Sequence, residues 1–305
     1  MNLTRKEFHG MLYALVGVFL FSLSLPMTKW ALESFDPLFT ASSRPIIAAT
    51  LAIPMLMAFR TQRFPRTHIR AFIFTTLGGA FIWPVLIALA LHRTTSAHVA
   101  VIAAVMPLTT AIFAVLRTKD RVNWQFWAAS ISGTFLLIVF AFTRGGGTRG
   151  GGTHGDLIAD LLTMGAVLSS SYCYVEGAEL TKLMPGWQVI SWMVVLSLPI
   201  CIPASALIWT RTHSSHVITA HGIIGLLVIG LSSMYIGFIA WYRGLSDAGT
   251  AHGSQVQQLQ AIMSLGWAAL LLGEKVTLSM VLIALGVISS VLWALTSRQR
   301  TAVIS

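Results

Sequence analysis

Charge is scarce in this chain. Asp, Glu, Lys and Arg together make up 10% of its 305 residues, against about 25% in an ordinary soluble domain. Acidic residues are scarcer still, 10 against 20 Lys and Arg. With 55% of residues hydrophobic and a mean hydropathy of +0.77, polar groups are too few to coat a water-soluble globule. That shortage excludes the soluble classes and points to a polytopic membrane protein. Cysteine is nearly absent. Cys173 and Cys201 both fall in apolar runs and read as small core residues rather than a disulfide or a metal pair. No His-Glu-x-x-His or Cys–His spacing is present, so no metal and no cofactor is expected. The net charge of +10 would suggest nucleic acid in a soluble protein. Here no basic stretch is interleaved with aromatics, and the basic residues sit in short gaps between apolar runs, so nucleic acid is excluded as a partner.

What is abundant is long apolar sequence. A membrane-spanning helix needs about 20 such residues, and ten candidates occur: 10–30, 37–59, 71–91, 97–117, 124–143, 156–179, 186–209, 222–244, 250–272 and 277–296. Arg5 and Lys6 precede the first. That run is too long for a signal-peptide core and reads as a retained helix. The stretch RGGGTRGGGTHG at 144–155 lacks the Gly-Lys-Ser/Thr of a phosphate loop and reads as a flexible linker.

Basic residues set the orientation. With the N-terminus inside, the inner gaps hold Arg5, Lys6, Arg60, Arg63, Arg66, Arg70, Arg117, Lys119, Arg121, Lys182, Arg243, Arg298 and Arg300. The outer side holds Lys29, Arg93, Arg144, Arg149, Arg211 and Lys275. The excess places both termini in the cytoplasm of a bacterial-type inner membrane.

A shift of 154 residues lays SAHVAVIAAVMPLTTAIFAVLRTKDRV (96–122) on TAHGSQVQQLQAIMSLGWAALLLGEKV (250–276) without a gap. Two copies of five helices are implied, residues 1–143 and 156–305. Because five is odd, the copies enter the membrane in opposite senses. The expected fold is therefore an all-α integral membrane protein of ten transmembrane helices, as two inverted five-helix repeats. Substrate sites in such folds lie near mid-bilayer at the repeat interface.

At FDPLFTASSRPIIAA (35–49), TTSAHVAVIAAVMPLTTAIFAV (94–115) and LLLGEKV (270–276) the chain resembles the drug/metabolite transporter superfamily, specifically its EamA branch. The shared features are an Asp-Pro opening with an intrahelical Arg, a Thr-Ser-Ala helix start with a later Pro, and a Leu-Gly-Glu helix end. The resemblance implies small-metabolite transport, often amino-acid export, with helices 3, 4, 6, 8 and 9 around a central cavity. Two positions depart from it. Ala261 stands where the repeat expects a partner for Pro107, which leaves the second copy without a proline kink, and Asp120 replaces the Glu of the first helix end.

Ten residues are candidates for substrate contact. Gln255, Gln257, Gln258 and Gln260 carry four carboxamides into the ninth span. At 100° per residue, His252, Gln255 and Gln258 share one side and Gln257 and Gln260 the other. Either face serves as interhelical glue or as a substrate stripe that donates to a carboxylate and accepts from an ammonium; one face of each kind is expected. His98 and His252 are repeat equivalents, either a pair beside the pathway or caps of their helix starts. Arg44, about seven positions inside the second span, either binds a substrate carboxylate or anchors neighbouring helices. Trp83 and Tyr235 are mid-span aromatics, better placed than Trp241 and Tyr242, and Tyr172 joins them from the sixth span. Asp160 and Glu176 fall near helix ends and read as interface carboxylates. A coupling proton, or none, therefore stays open.

These features favour a carrier that exports small polar metabolites, amino acids or related compounds, by alternating access. A passive facilitator or channel is the alternative. An integral-membrane enzyme is disfavoured, since no paired-aspartate motif, Gly-x-Ser-x-Gly or metal set occurs.

Overall fold

In lipid every backbone N–H and C=O must be satisfied within the protein, and a helix does this within one segment. A computed structural model describes residues 4–59, 64–93, 99, 102–119, 122–141, 157–212, 217–272 and 278–297; among these residues the regular structure is helical throughout. The helices are α1 (Arg5–Leu32), α2 (Pro37–Ala58), α3 (Arg66–Leu91), α4 (Met106–Thr118), α5 (Trp124–Ala141), α6 (Leu157–Leu180), α7 (Gly186–Thr212), α8 (Ala220–Ala248), α9 (250–272) and α10 (Leu278–Thr296). Six of them, α1, α2, α3, α6, α7 and α8, have the length and hydropathy to cross a membrane, and shorter apolar helices accompany them.

Their ends follow local chemistry. Thr4 and Glu7 form a capping box that starts α1, which satisfies two otherwise orphaned donors. The Asp36 carboxylate accepts from the Leu38 and Phe39 amides, with Pro37 at the first helical position of α2. Between α8 and α9 the chain turns sharply at Gly249, φ 83°, a left-handed conformation that glycine adopts without strain.

The packing obeys a two-fold rule. The first helix lies on α8, and its counterpart α6 lies on α3; α2 pairs with α7, α4 with α9 and α5 with α10. Each pairing maps onto itself or another when five is added to the helix number. Small residues permit the closest approaches. A Cβ on Gly10 would fall 2.6 Å from Ala248 N, one on Gly17 2.9 Å from Trp241 N, and one on Gly78 in α3 2.7 Å from Ser169 O in α6.

Irregularities repeat as well. Both α3 and α8 contain a π-helical stretch, Leu77–Ile82 and Ile229–Ile236, and adding 154 to the first gives 231–236, inside the second. The α4 segment turns at residues 104–105 before Pro107, and α9 tightens to a 3₁₀ turn at Val256–Gln258. The second copy has no proline at Ala261, yet its helix is not regular throughout. A tightened turn takes the place of the lost proline ring.

The largest buried cluster joins α1, α6, α7 and α8 around Trp241, Tyr235, Tyr242 and Met193. Trp124 and Phe135 on α5, and Leu282 and Leu285 on α10, point outward, as lipid-facing side chains do. Ion pairs gather at one end of the bundle: Lys6 and Arg243 with Asp247, Lys182 with Glu179, and Arg117 with Glu176.

Candidate functional site

Arg44 lies about 10 Å along α2 from its N-terminal end, counted at 1.5 Å per residue. It is only 7% exposed. One of its terminal nitrogens, Nη2, donates to Ser233 Oγ at 3.1 Å. Ser233 belongs to the π-helical stretch of α8 and donates to Ile229 O at 2.9 Å. A π turn inserts one extra residue into the helix, which re-aims the side chains beyond it and often marks a functional site.

Arg44 and Tyr174 of α6 lie within electrostatic range of each other, and the Tyr174 phenol is within hydrogen-bonding reach of Ser170 and the Gln257 amide. Its ring meets Trp241 at 5.3 Å, Phe238 at 5.8 Å and Phe21 of α1 at 6.2 Å between centroids. Phe238 and Trp241 are three apart on α8 and so share a face. From α9, Gln257 Nε2 donates to Met106 Sδ in α4 at 2.8 Å. Five helices thus bring a guanidinium, a phenol, a hydroxyl, a carboxamide and three aromatic rings to one locus, with α4 at its edge.

Three polar atoms at this locus are buried without a hydrogen-bond partner among the described residues: Arg44 Nε, Gln257 Oε1 and Trp241 Nε1. Each such atom costs about 1–3 kcal/mol. Two are donors and one is an acceptor, a set that suits a ligand carrying both kinds of group.

Comparison with known proteins decides the family. The model of the EamA-like transporter family matches residues 8–143 and 157–296. This chain belongs to that family. An uncharacterized transporter of Bacillus subtilis (strain 168), YdeK, is 37% identical over 286 residues, 94% of this chain and 96% of the relative. A protein of Chlamydia muridarum (strain MoPn / Nigg), named as an S-adenosylmethionine/S-adenosylhomocysteine transporter, is 24% identical over 267 residues, 85% of this chain and 83% of the relative. One crystal structure covers 93% of this chain and 96% of its own with a TM-score of 0.74 at 15% identity, a likeness of fold. The protein is thus a multi-pass membrane protein of a transporter family.

Within this family member the four glutamines divide between two surfaces. Gln258 Nε2 donates to Gln255 Oε1 at 2.7 Å, and Ser290 Oγ of α10 donates to Gln258 Oε1 at 3.1 Å. Gln255 Nε2 reaches Ser254 Oγ at 3.4 Å. Gly133 on α5 leaves room for the Gln258 amide, which a Cβ there would strike. Gln255 and Gln258 are fully buried in this network, facing α5 and α10, whereas Gln257 faces α4 and α6. Gln260 is half-buried.

The other candidates are dispersed. His252 packs against Phe126 of α5 at 4.8 Å between centroids, and His98 lies outside the described residues. Tyr235 is buried, its hydroxyl within 2.7 Å of Ser191 Oγ and donating to Met55 Sδ at 3.3 Å, a bridge from α8 to α7 and α2. Trp83 is half-buried at the edge of two apolar clusters. Tyr172 turns away from the Arg44 locus: its ring meets Phe74 and Phe113 edge-on and its hydroxyl donates to Glu176 Oε1 at 3.2 Å. Glu176, expected near a membrane interface, stands among the ion pairs at one end of the bundle and is covered by neighbouring helices. Its side chain is 5% exposed and takes Arg117 Nε at 2.6 Å, because α4 and α6 pack together here.

Five members of the locus escaped the list of candidates: Tyr174, Trp241, Phe238, Ser233 and Phe21. A signal existed for two. Tyr174 is two positions, hence 200°, from Tyr172, so one of the pair had to face away from the other's surroundings. Ser233 is a small polar residue within an apolar run. Nothing in the local sequence of Phe21, Phe238 or Trp241 distinguishes them from packing aromatics.

Proposed function

We propose that this protein is a secondary transporter that exports small polar metabolites, foremost amino acids or related compounds, by alternating access. In this reading residues 1–143 and 156–305 are two five-helix units of opposite sense, joined by 144–155. They make ten spans with both termini in the cytoplasm of a bacterial-type inner membrane. The two-fold packing scheme and the matched irregularities of α3 and α8 support it.

The observation that carries the substrate class is the trio of buried, unpartnered atoms around Tyr174. Arg44 Nε and Trp241 Nε1 are N–H donors and Gln257 Oε1 is an acceptor. A zwitterionic amino acid is complementary to them, since its carboxylate accepts and its ammonium donates. The rings of Tyr174, Phe238 and Trp241 add electron-rich faces for the cationic group. The named substrates of the Chlamydia relative fit the same reading, because both molecules contain an α-amino-acid group. Gln255 and Gln258 act in this account as framework, and Gln257, Arg44 and Tyr174 as the binding side chains.

Counterflow in proteoliposomes tests the reading. Vesicles preloaded with an L-amino-acid mixture, S-adenosylmethionine or S-adenosylhomocysteine are diluted into the same labelled compounds. Transient, saturable accumulation of at least one is expected. No accumulation of any of them overturns the substrate class, and linear, non-saturating entry favours a channel.

A further inference from the structure

Among the described residues Arg44 carries a full charge into the bundle without a carboxylate in ion-pair contact. Of those residues Glu176, Glu179 and Asp247 are carboxylates already held in ion pairs. They take Arg117, Lys182, and Lys6 with Arg243. Arg44 holds only the neutral Ser233 hydroxyl, and its Nε is buried and unpartnered. The group within electrostatic range of it, Tyr174, is a phenol, and the neighbour of that phenol, Gln257, is an amide. A guanidinium pairs with a carboxylate through two N–H bonds in its plane, and one edge of this one has a donor to spare.

We propose that Arg44 seats the carboxylate of the transported molecule, and that the site re-crosses the membrane only with a carboxylate in place. The protein is then an exchanger, exporting one carboxylate-bearing metabolite in return for each different one it takes up. This rests on the reading of the protein as an amino-acid carrier.

The reason is electrostatic. In alternating access the site passes through a state closed to both sides. With a carboxylate seated, the guanidinium is paired during that passage. Bare, it is a buried charge stripped of both water and partner. The cost of stranding such a charge, expressed as a rate ratio, slows the bare passage by about a hundredfold or more. Net flux requires the bare passage, whereas exchange does not.

The test compares two fluxes in proteoliposomes clamped at zero membrane potential. Entry of a labelled L-amino-acid mixture is measured into vesicles loaded with the unlabelled mixture and into vesicles loaded with buffer alone. The expected ratio of initial rates is about 100 or more, and loading with the corresponding amino-acid carboxamides, which lack the carboxylate, fails to raise entry above buffer. Arg44→Lys, which keeps the charge, retains a high ratio; Arg44→Gln brings it toward one. Equal entry into loaded and buffer-filled vesicles overturns the exchange mechanism while leaving the carrier reading standing. Support of entry by the carboxamides overturns the role given to the carboxylate, and does so even where Arg44→Gln fails to insert. Absence of entry in every arm overturns the carrier reading and this inference with it.

Discussion

Gln258 Nε2 donates to Gln255 Oε1 across one turn of α9 at 2.7 Å, and both side chains are fully buried. The pair shows why carboxamides are tolerated so deep in an apolar helix: each satisfies the other, and Ser290 of α10 accounts for a further lone pair. Gln257, one position away, faces Met106 and Tyr174 instead, with its carbonyl oxygen unpartnered.

Gln258→Leu is expected to destabilise the protein by about 0.6–2 kcal/mol, the range for a hydrogen bond between membrane helices. The Gln255 carbonyl and the Ser290 hydroxyl both lose a partner. Thermal unfolding in detergent measures it, and Ser290→Ala checks the network from the other side with a smaller loss.

Replacing Gly17 by Leu parts α1 from α8, since even a single carbon there lies 2.9 Å from Trp241 N. Overpacking of this kind costs about 1–3 kcal/mol or more, and the monodisperse fraction on size exclusion should fall. Gly266→Ala is the control. No atom lies within 4 Å of the added carbon, and alanine in a helix interior gains about 0.5–1 kcal/mol over glycine, so the melting temperature should hold or rise.

The architecture was legible because it rests on patterns that survive without neighbours. The 154-residue repeat made α4 and α9 equivalents, and helical angle arithmetic placed Gln255 and Gln258 on the side opposite Gln257. Phe21 and Trp241 were not legible as site residues, because their significance lies in which helices meet them. The π-helical stretch carrying Ser233 was invisible for a different reason: one extra residue in an apolar run changes no hydropathy average. The burial of Glu176 was not legible, because its distance from a loop is local information whereas its cover depends on Arg117 arriving from another helix.

Arg117→Ala is expected to cost about 1–3 kcal/mol, less than for a pair buried on both sides, because Arg117 is half exposed. Glu176→Gln should cost less, since its amide still accepts from Tyr172. Melting temperatures of the two variants, compared with wild type, check the order. An equal loss would show that the ion pair contributes nothing beyond the hydrogen bonds.

Tyr174→Phe removes the phenol beside Arg44 and Gln257 while keeping its ring contacts with Trp241 and Phe238. The concentration for half-maximal transport should rise by about tenfold, the lower end for a hydrogen bond to a charged partner. A saturation curve in vesicles checks this, with the melting temperature near that of wild type.

The most direct test of where substrate binds sets Gln257→Leu against Gln258→Leu in the same counterflow assay, with transport normalised to folded protein. If the locus around Arg44 and Tyr174 is the binding site, Gln257→Leu lowers exchange by about tenfold or more, and Gln258→Leu exchanges at the wild-type rate per folded molecule. Normal exchange by Gln257→Leu, or its loss in Gln258→Leu alone, would place the site on the opposite face of α9 and contradict the account.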